Sequence, residues 1–215
     1  MAATHQPLDI FQPGLKRGAA SLPFAPHKHY AYVEHPKQGW RVYLRNAAFL
    51  HQWEGSPNIG LDPTKFLVVK ATGAGSHGYA WEPPKGQMEG KDMPARGPLL
   101  KGMMDALSRE IAEEAKIENV LFLQHTGLVF QGREKDYPPN HFFQYHIFRG
   151  FVDEEEIDSA QQKFQWLKDH PKAYARMRKD FKEKDAMRFY SPKHTRLFGS
   201  WAPALVMLYS TLYRK

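Results

Sequence analysis

Arg109-Glu110-Ile111-Ala112-Glu113-Glu114-Ala115 is the stretch whose reading decides the fold. It closes a helical run and sets three carboxylates at i, i+3 and i+4. On a helix of 3.6 residues per turn these positions share one face. Like charges at that spacing repel and weaken the helix. A cation must offset them, either a Lys or Arg side chain or a bound metal. Upstream, Trp81-Glu82-Pro83-Pro84-Lys85-Gly86 reads as a strand entering a rigid Pro-Pro turn and a glycine. A strand, a glycine turn and an acidic helix together point to a hard-metal site suited to phosphate chemistry.

Working outward, Leu100, Met103, Met104, Leu107, Ile111 and Ala115 recur at three- and four-residue steps from Leu99 onward. That apolar stripe docks the acidic helix on a sheet, with Met103 and Met104 as core filler. Residues 87–98 form a polar loop. Before it, residues 29–34 and 40–50, Phe66–Lys70 and Tyr79-Ala80-Trp81 read as strands. Gly73-Ala74-Gly75-Ser76-His77-Gly78 lacks the spacing of a phosphate-binding GxxxxGK[ST] loop and reads as a hairpin turn. His27 and His29 stand at i,i+2 with no further ligand nearby, so they read as strand histidines. After the helix, residues 119–131 and 141–152 read as two strands. Asp153 then caps a helix whose first turn holds Glu154, Glu155 and Glu156. Pro171 opens a second helix over a basic stretch, Lys172, Arg176, Arg178, Lys179, Lys182 and Lys184. That stretch is either a solvated helix face or a phosphate-backbone contact surface. Met187–Tyr190 reads as a last strand and Trp201–Tyr213 as an amphipathic helix.

This order predicts an α+β chain, an α/β/α sandwich with a mixed sheet between helices. Residues 1–26, rich in Pro, Gly and Ala, are expected to be an extended N-terminal arm without regular structure. Residues 27–215 are expected to form one domain, with an insertion-like helical elaboration near 153–184. The chain of 215 residues has no cysteine, which excludes disulfides and thiolate metal sites and is compatible with a reducing compartment. No run of 18 apolar residues occurs, so no membrane partner is expected. The N-terminus lacks the basic start and apolar core of a secretory signal. A net charge of +7 and a pI near 9.4 point to a polyanionic partner.

The acidic stretch and the Pro-Lys-Gly turn resemble the signature of the Nudix hydrolases, G-x5-E-x7-R-E-U-x-E-E-x-G-U with U aliphatic. Arg109, Glu110, Ile111, Glu113, Glu114 and Ile117 match its second half and Gly86 its first glycine. Three positions depart from it. Asp92 stands where a Glu is expected. Sixteen residues, 93–108, separate it from Arg109 instead of seven. Lys116 replaces the last glycine. The Trp81–Gly86 turn is also similar to that of diadenosine-polyphosphate hydrolases and of mRNA-decapping members. From about residue 65 the layout resembles, more loosely, the decapping Nudix enzymes of large DNA viruses.

The resemblance implies a pyrophosphohydrolase using Mg²⁺ or Mn²⁺ to drive water attack at phosphorus. It implies Glu110, Glu113 and Glu114 as metal ligands, with the Gly86 carbonyl as a further one, and Arg109 as their orienting residue through a salt bridge for which Asp92 is a candidate partner. Lys85 is expected to reach a substrate phosphate. Glu183 is the expected general base, with Asp180, Asp185 and Glu134 as competitors. Tyr137, Phe142, Phe143 and Trp166 are candidates for stacking on a base, none of them assigned. The substrate implied first is the 5′ cap of mRNA, releasing 7-methylguanosine diphosphate, with RNA as partner and a cytoplasmic location, that of the host for a viral protein. The alternatives are diadenosine polyphosphates or diphosphoinositol polyphosphates, and a non-catalytic RNA-binding module.

Overall fold

Strand β3 (Arg41–Gln52), in a computed structural model describing residues 6–56, 62–75 and 78–213, shows why the chain folds in layers. Its Val42, Leu44, Ala48 and Leu50 belong to one apolar cluster, and its Tyr43, Ala47 and Phe49 to another. Successive side chains of a strand point to opposite faces, so a strand apolar at both must be covered on both. Helices α1 (Leu99–Ala115) and α2 (Glu154–Asp169) close the first face through Met103, Leu107, Ile111, Ile157 and Phe164. Helix α4 (Trp201–Ser210) closes the second through Leu205 and Tyr209.

The sheet is mixed because β3 runs parallel to β8 (His141–Val152), in register from Arg41↔His141 to Gln52↔Val152. β7 (Leu121–Gly132) lies antiparallel on β8. The other edge of β3 is shared. β2 (Ala25–Glu34) pairs along Arg41–Tyr43, and β6 (Lys85–Gln87) along Arg45–Ala47. β4 (Leu67–Ala71), β5 (Trp81–Glu82) and β9 (Lys184–Phe189) form a separate three-stranded antiparallel sheet. Pro83-Pro84 carries the chain from that sheet to the larger one, since β5 pairs with β4 and β6 with β3. Prolines donate no N–H, so the ladder breaks there. The crossing sets Lys85 and Gly86 against α1.

The α+β architecture, a mixed sheet between helices, is therefore the one predicted. Three expectations need correcting. The N-terminal arm is not without regular structure: Lys16–Leu22 forms β1, the edge strand beside β2. Its solvent-facing side leaves no apolar alternation in the sequence, which hid it. Ahead of it, Ile10 is buried in the first cluster. The segment 153–184 is more than an insertion-like elaboration, because Ile157, Ala160 and Phe164 of α2 complete the first core. It continues as α3 (Pro171–Arg176) and a 3-10 turn at Asp180–Lys182. Its last residue, Lys184, is buried and opens β9. Third, the 87–98 loop carries the end of β6 and a 3-10 turn at Gly90–Asp92. The hairpin turn at Gly73–Gly78 includes Ser76 and His77, which lie outside the described residues. Among the described residues no helix is long and apolar enough to cross a membrane.

Candidate active site

Helix α1 buries Leu99, Met103, Leu107, Ile111 and Ala115 as its sheet-facing stripe. Glu110, Glu113 and Glu114 then fall on the flank facing the β5–β6 turn. They line a cavity of about 450 Å³ together with Glu82, Lys85, Gly86, Arg109, Arg178, Glu183 and Lys184. Two elements far apart in sequence meet there. The Lys85 N–H donates to Glu114 Oε2 at 2.9 Å. Gly86 lies so close to Glu110 that a Cβ there would overlap its carboxylate. The glycine is required by this approach.

Each of the three α1 carboxylates has a cationic partner. Arg109 Nη1 is 3.1 Å from Glu110 Oε1 and 3.4 Å from Glu113 Oε2, while its Nη2 donates to Asp92 Oδ2 at 3.0 Å. Asp92 also accepts the Glu89 N–H, so it both closes the capping box at the start of its 3-10 turn and anchors Arg109. The long loop thus returns its acid to Arg109 despite the extra residues. Arg178 Nη2 reaches Glu113 Oε1 at 3.0 Å. Lys184 lies 3.1 Å from Glu114 Oε1 and bonds the Glu82 carboxylate, which Lys85 Nζ approaches at 3.2 Å.

Charge compensation is uneven. Burial, above all, pushes the Glu110 carboxyl up to about 7, and repulsion from Glu114, Glu113 and Glu183 adds to it against the pull of Arg109. Burial also raises Glu114, with Lys184 and Lys85 opposing. For Glu82 burial acts upward, and the two ammonium groups overcome it, leaving the carboxyl below its ordinary value. For Lys85 burial acts downward, and Tyr145, Glu82 and Glu114 override it, so the ammonium stays charged.

The donor set fits a hard divalent cation in kind: three carboxylates on one helix face, one of which, Glu110, burial and its acidic neighbours disfavour as a bare anion. Among the described residues no three acidic or histidine side chains already converge as a finished metal cage. The oxygens are instead engaged with guanidinium and ammonium groups.

Of the base candidates, Glu183 and Asp180 line the cavity. Glu134 lies elsewhere, paired with Arg45 at 2.9 Å. Asp185 closes the β4–β9 junction, 2.9 Å from Lys70 and accepting the Gly73 N–H. The stacking candidates fall outside the cavity. Tyr137 and Phe143 are buried in the second cluster, Phe142 packs on the first, and Trp166 lines a groove beyond α1. Tyr30 is the aromatic that lines the cavity. Sequence reasoning missed Tyr30, Lys28 and Glu89, and gave Glu82 no role. The Glu82–Lys85 spacing of three was a signal for that pair, whereas nothing local tied Glu82 to Lys184.

No family profile matches the chain, and no curated protein does. Several solved structures are similar. One is a NUDIX hydrolase from Nitrosomonas europaea, 14% identical with a TM-score of 0.42, covering 80% of this chain and 90% of that one. Another is a mutT/nudix family protein from Listeria innocua, 16% identical at 0.39, covering 79% and 91%. A third is a MutT NUDIX hydrolase from Burkholderia pseudomallei, 10% identical at 0.39, covering 78% and 97%.

Proposed function

We propose that this chain is a divalent-metal-dependent Nudix pyrophosphohydrolase. One observation carries the reading: Glu110, Glu113 and Glu114 share a single cavity with Gly86, Lys85 and Glu183, residues drawn from α1, β6 and the segment before β9. In this reading Glu110, Glu113, Glu114 and the Gly86 carbonyl hold Mg²⁺ or Mn²⁺, which neutralises phosphate oxygens and acidifies the attacking water. Arg109, fixed by Asp92, orients the glutamates. The Lys85 N–H and Lys184 hold Glu114 in place. Glu183 is the proton acceptor, and Lys85, Lys28 and Arg178 face the phosphates.

The substrate read first is capped RNA, cleaved to release 7-methylguanosine diphosphate. Its support is the decapping-like layout and the basic segment leading to Arg178. A second reading has its own support. Tyr30 is the one aromatic among the described lining residues, while Lys28, Lys85, Lys91, Arg109, Arg178 and Lys184 all face the cavity. A diphosphoinositol polyphosphate needs cations and no stacking surface, so it suits such a wall; diadenosine polyphosphates share its diphosphate. Cap-labelled RNA, diadenosine polyphosphates and diphosphoinositol polyphosphates should be compared as substrates with Mg²⁺ and with Mn²⁺. Turnover of the free polyphosphates without release of nucleoside diphosphate from capped RNA overturns decapping. A Glu114→Gln variant that folds should lose activity by at least the roughly hundredfold typical of damaging a metal's supporting groups. Unchanged function in that variant would favour a non-catalytic RNA-binding module.

A further inference from the structure

The cations that neutralise α1 are not equivalent. Arg109 is held by Asp92, Glu110 and Glu113 at once, and Lys184 by Glu82 and Glu114. Both lie on regular elements, and Lys184 is buried. Arg178 differs. It reaches Glu113 from the turn after α3, and its side chain is 69% exposed against 8% for its partner. Its other carboxylate neighbour, Asp180, is at a looser 3.8 Å. The guanidinium also lies 5.3 Å from the Phe181 ring. An exposed guanidinium regains water when it lets go, whereas Arg109 and Lys184 would leave other carboxylates unpaired. A cation arriving at Glu113 therefore displaces Arg178 at the lowest cost.

The 3-10 turn that follows Arg178 is fastened independently of that ion pair. The Tyr174 and Thr72 hydroxyls both donate to the Lys182 carbonyl, and Lys116 Nζ donates to that of Phe181 at 2.7 Å. Releasing Glu113 leaves Arg178 three residues before that fastened point, at the wall of the same cavity.

Building on the reading that Glu110, Glu113 and Glu114 hold a divalent cation, we propose that Arg178 is the exchangeable counter-ion of Glu113. It neutralises the carboxylate before a cation binds, yields it on binding, and then offers its forked N–H donors to a phosphate of the substrate. Metal loading and substrate grip are coupled through one side chain.

The test titrates the full chain with Mn²⁺ alone and reads free Mn²⁺ by electron paramagnetic resonance. Arg178→Gln removes the competitor and should tighten Mn²⁺ binding roughly fivefold, the factor expected for losing one ion pair. Lys91→Gln removes a charge from the same cavity without touching Glu113, and should change it less than about twofold. With the substrate that the wild type turns over, Arg178→Gln should raise KM with kcat nearly kept, and Arg178→Lys should recover part of the loss. Melting curves check that all variants fold. Unchanged Mn²⁺ affinity in Arg178→Gln, or equal tightening in Lys91→Gln, overturns the exchange. A folded wild type that binds no Mn²⁺ removes the glutamate reading itself, and the exchange with it.

Discussion

The Lys116 ammonium donates to the Phe181 carbonyl at 2.7 Å and also to the carbonyl of Glu113. It ties the last turn of the acidic helix to the segment that carries Arg178 and Glu183. Lys116 stands in the left-handed region, φ +62°, where the resembling signature has glycine. A non-glycine residue there costs about 1 kcal/mol, and each hydrogen bond contributes a comparable amount. Lys116→Gly regains the first and loses the second, so a net loss of about 1 kcal/mol is expected. Lys116→Ala keeps the strain and loses the bonds, and should be worse by about 1 kcal/mol more. Urea unfolding of the three proteins measures this order, and an alanine variant as stable as the glycine one contradicts it.

Gly86 and Glu110 occupy space that cannot hold another carbon. Gly86→Ala is expected to displace the Glu110 carboxylate and to destabilise the fold by about 1–3 kcal/mol, the usual cost of overpacking. Hydrolysis should fall much further than the melting temperature suggests. Activity and melting measured on the same preparation test this. Full activity in the variant would show that Glu110 is not needed where it sits.

His51 is buried, with one ring nitrogen 2.7 Å from the Tyr209 hydroxyl and the other 2.9 Å from the Lys65 carbonyl. Burial, with Arg149 adding to it, lowers its pKa to about 4. The unfolded chain takes a proton near 6.5 and the folded chain does not, so stability falls as pH drops from about 6.5 to 4. Above 6.5 the contribution is fully present. Its loss by pH 4 amounts to about 2–3 kcal/mol for this one group. His146, buried beside His125 and lowered to about 3, adds in the same direction. Urea midpoints at pH 7, 5.5 and 4 should show a steep slope that flattens in His51→Gln, whatever that variant's stability at pH 7. Parallel slopes would remove His51 from the account.

Arg17 on β1 donates from one guanidinium nitrogen to the Pro94 and Gly97 carbonyls, at 3.0 and 2.9 Å. It pins the stretch that lengthens the signature loop. Arg17→Ala should speed limited proteolysis within 93–98 while leaving the core intact, because the bonds are exposed and together contribute only about 1–2 kcal/mol. Cleavage rates in the loop, set against the melting temperature, decide the matter. An unchanged rate means the loop is ordered by other contacts, such as Pro94 packed close to Gly102.

By itself the sequence determined most of the elements and the acidic face. Period-3.6 apolar residues from Leu99 to Ala115 specify α1, and the same periodicity sets Glu110, Glu113 and Glu114 together. Strong apolar and aromatic content made β3, β4, β7 and β8 readable, because such runs encode local backbone preference and burial at once. The edge strand Lys16–Leu22 escaped, since a half-exposed strand of small and charged residues carries no such pattern. Tertiary structure alone decided which charges meet. Lys184 joins Glu82 across 102 residues of chain, and Arg178 joins Glu113 across 65. No periodicity records such pairs, because their energy depends on shared burial created by folding and not on neighbours in sequence. The same holds for Gly86. Its place in the signature was legible, but the physical need for it, a glutamate carboxylate lying where a Cβ would be, exists only once Pro83-Pro84 has carried the chain from one sheet to the other.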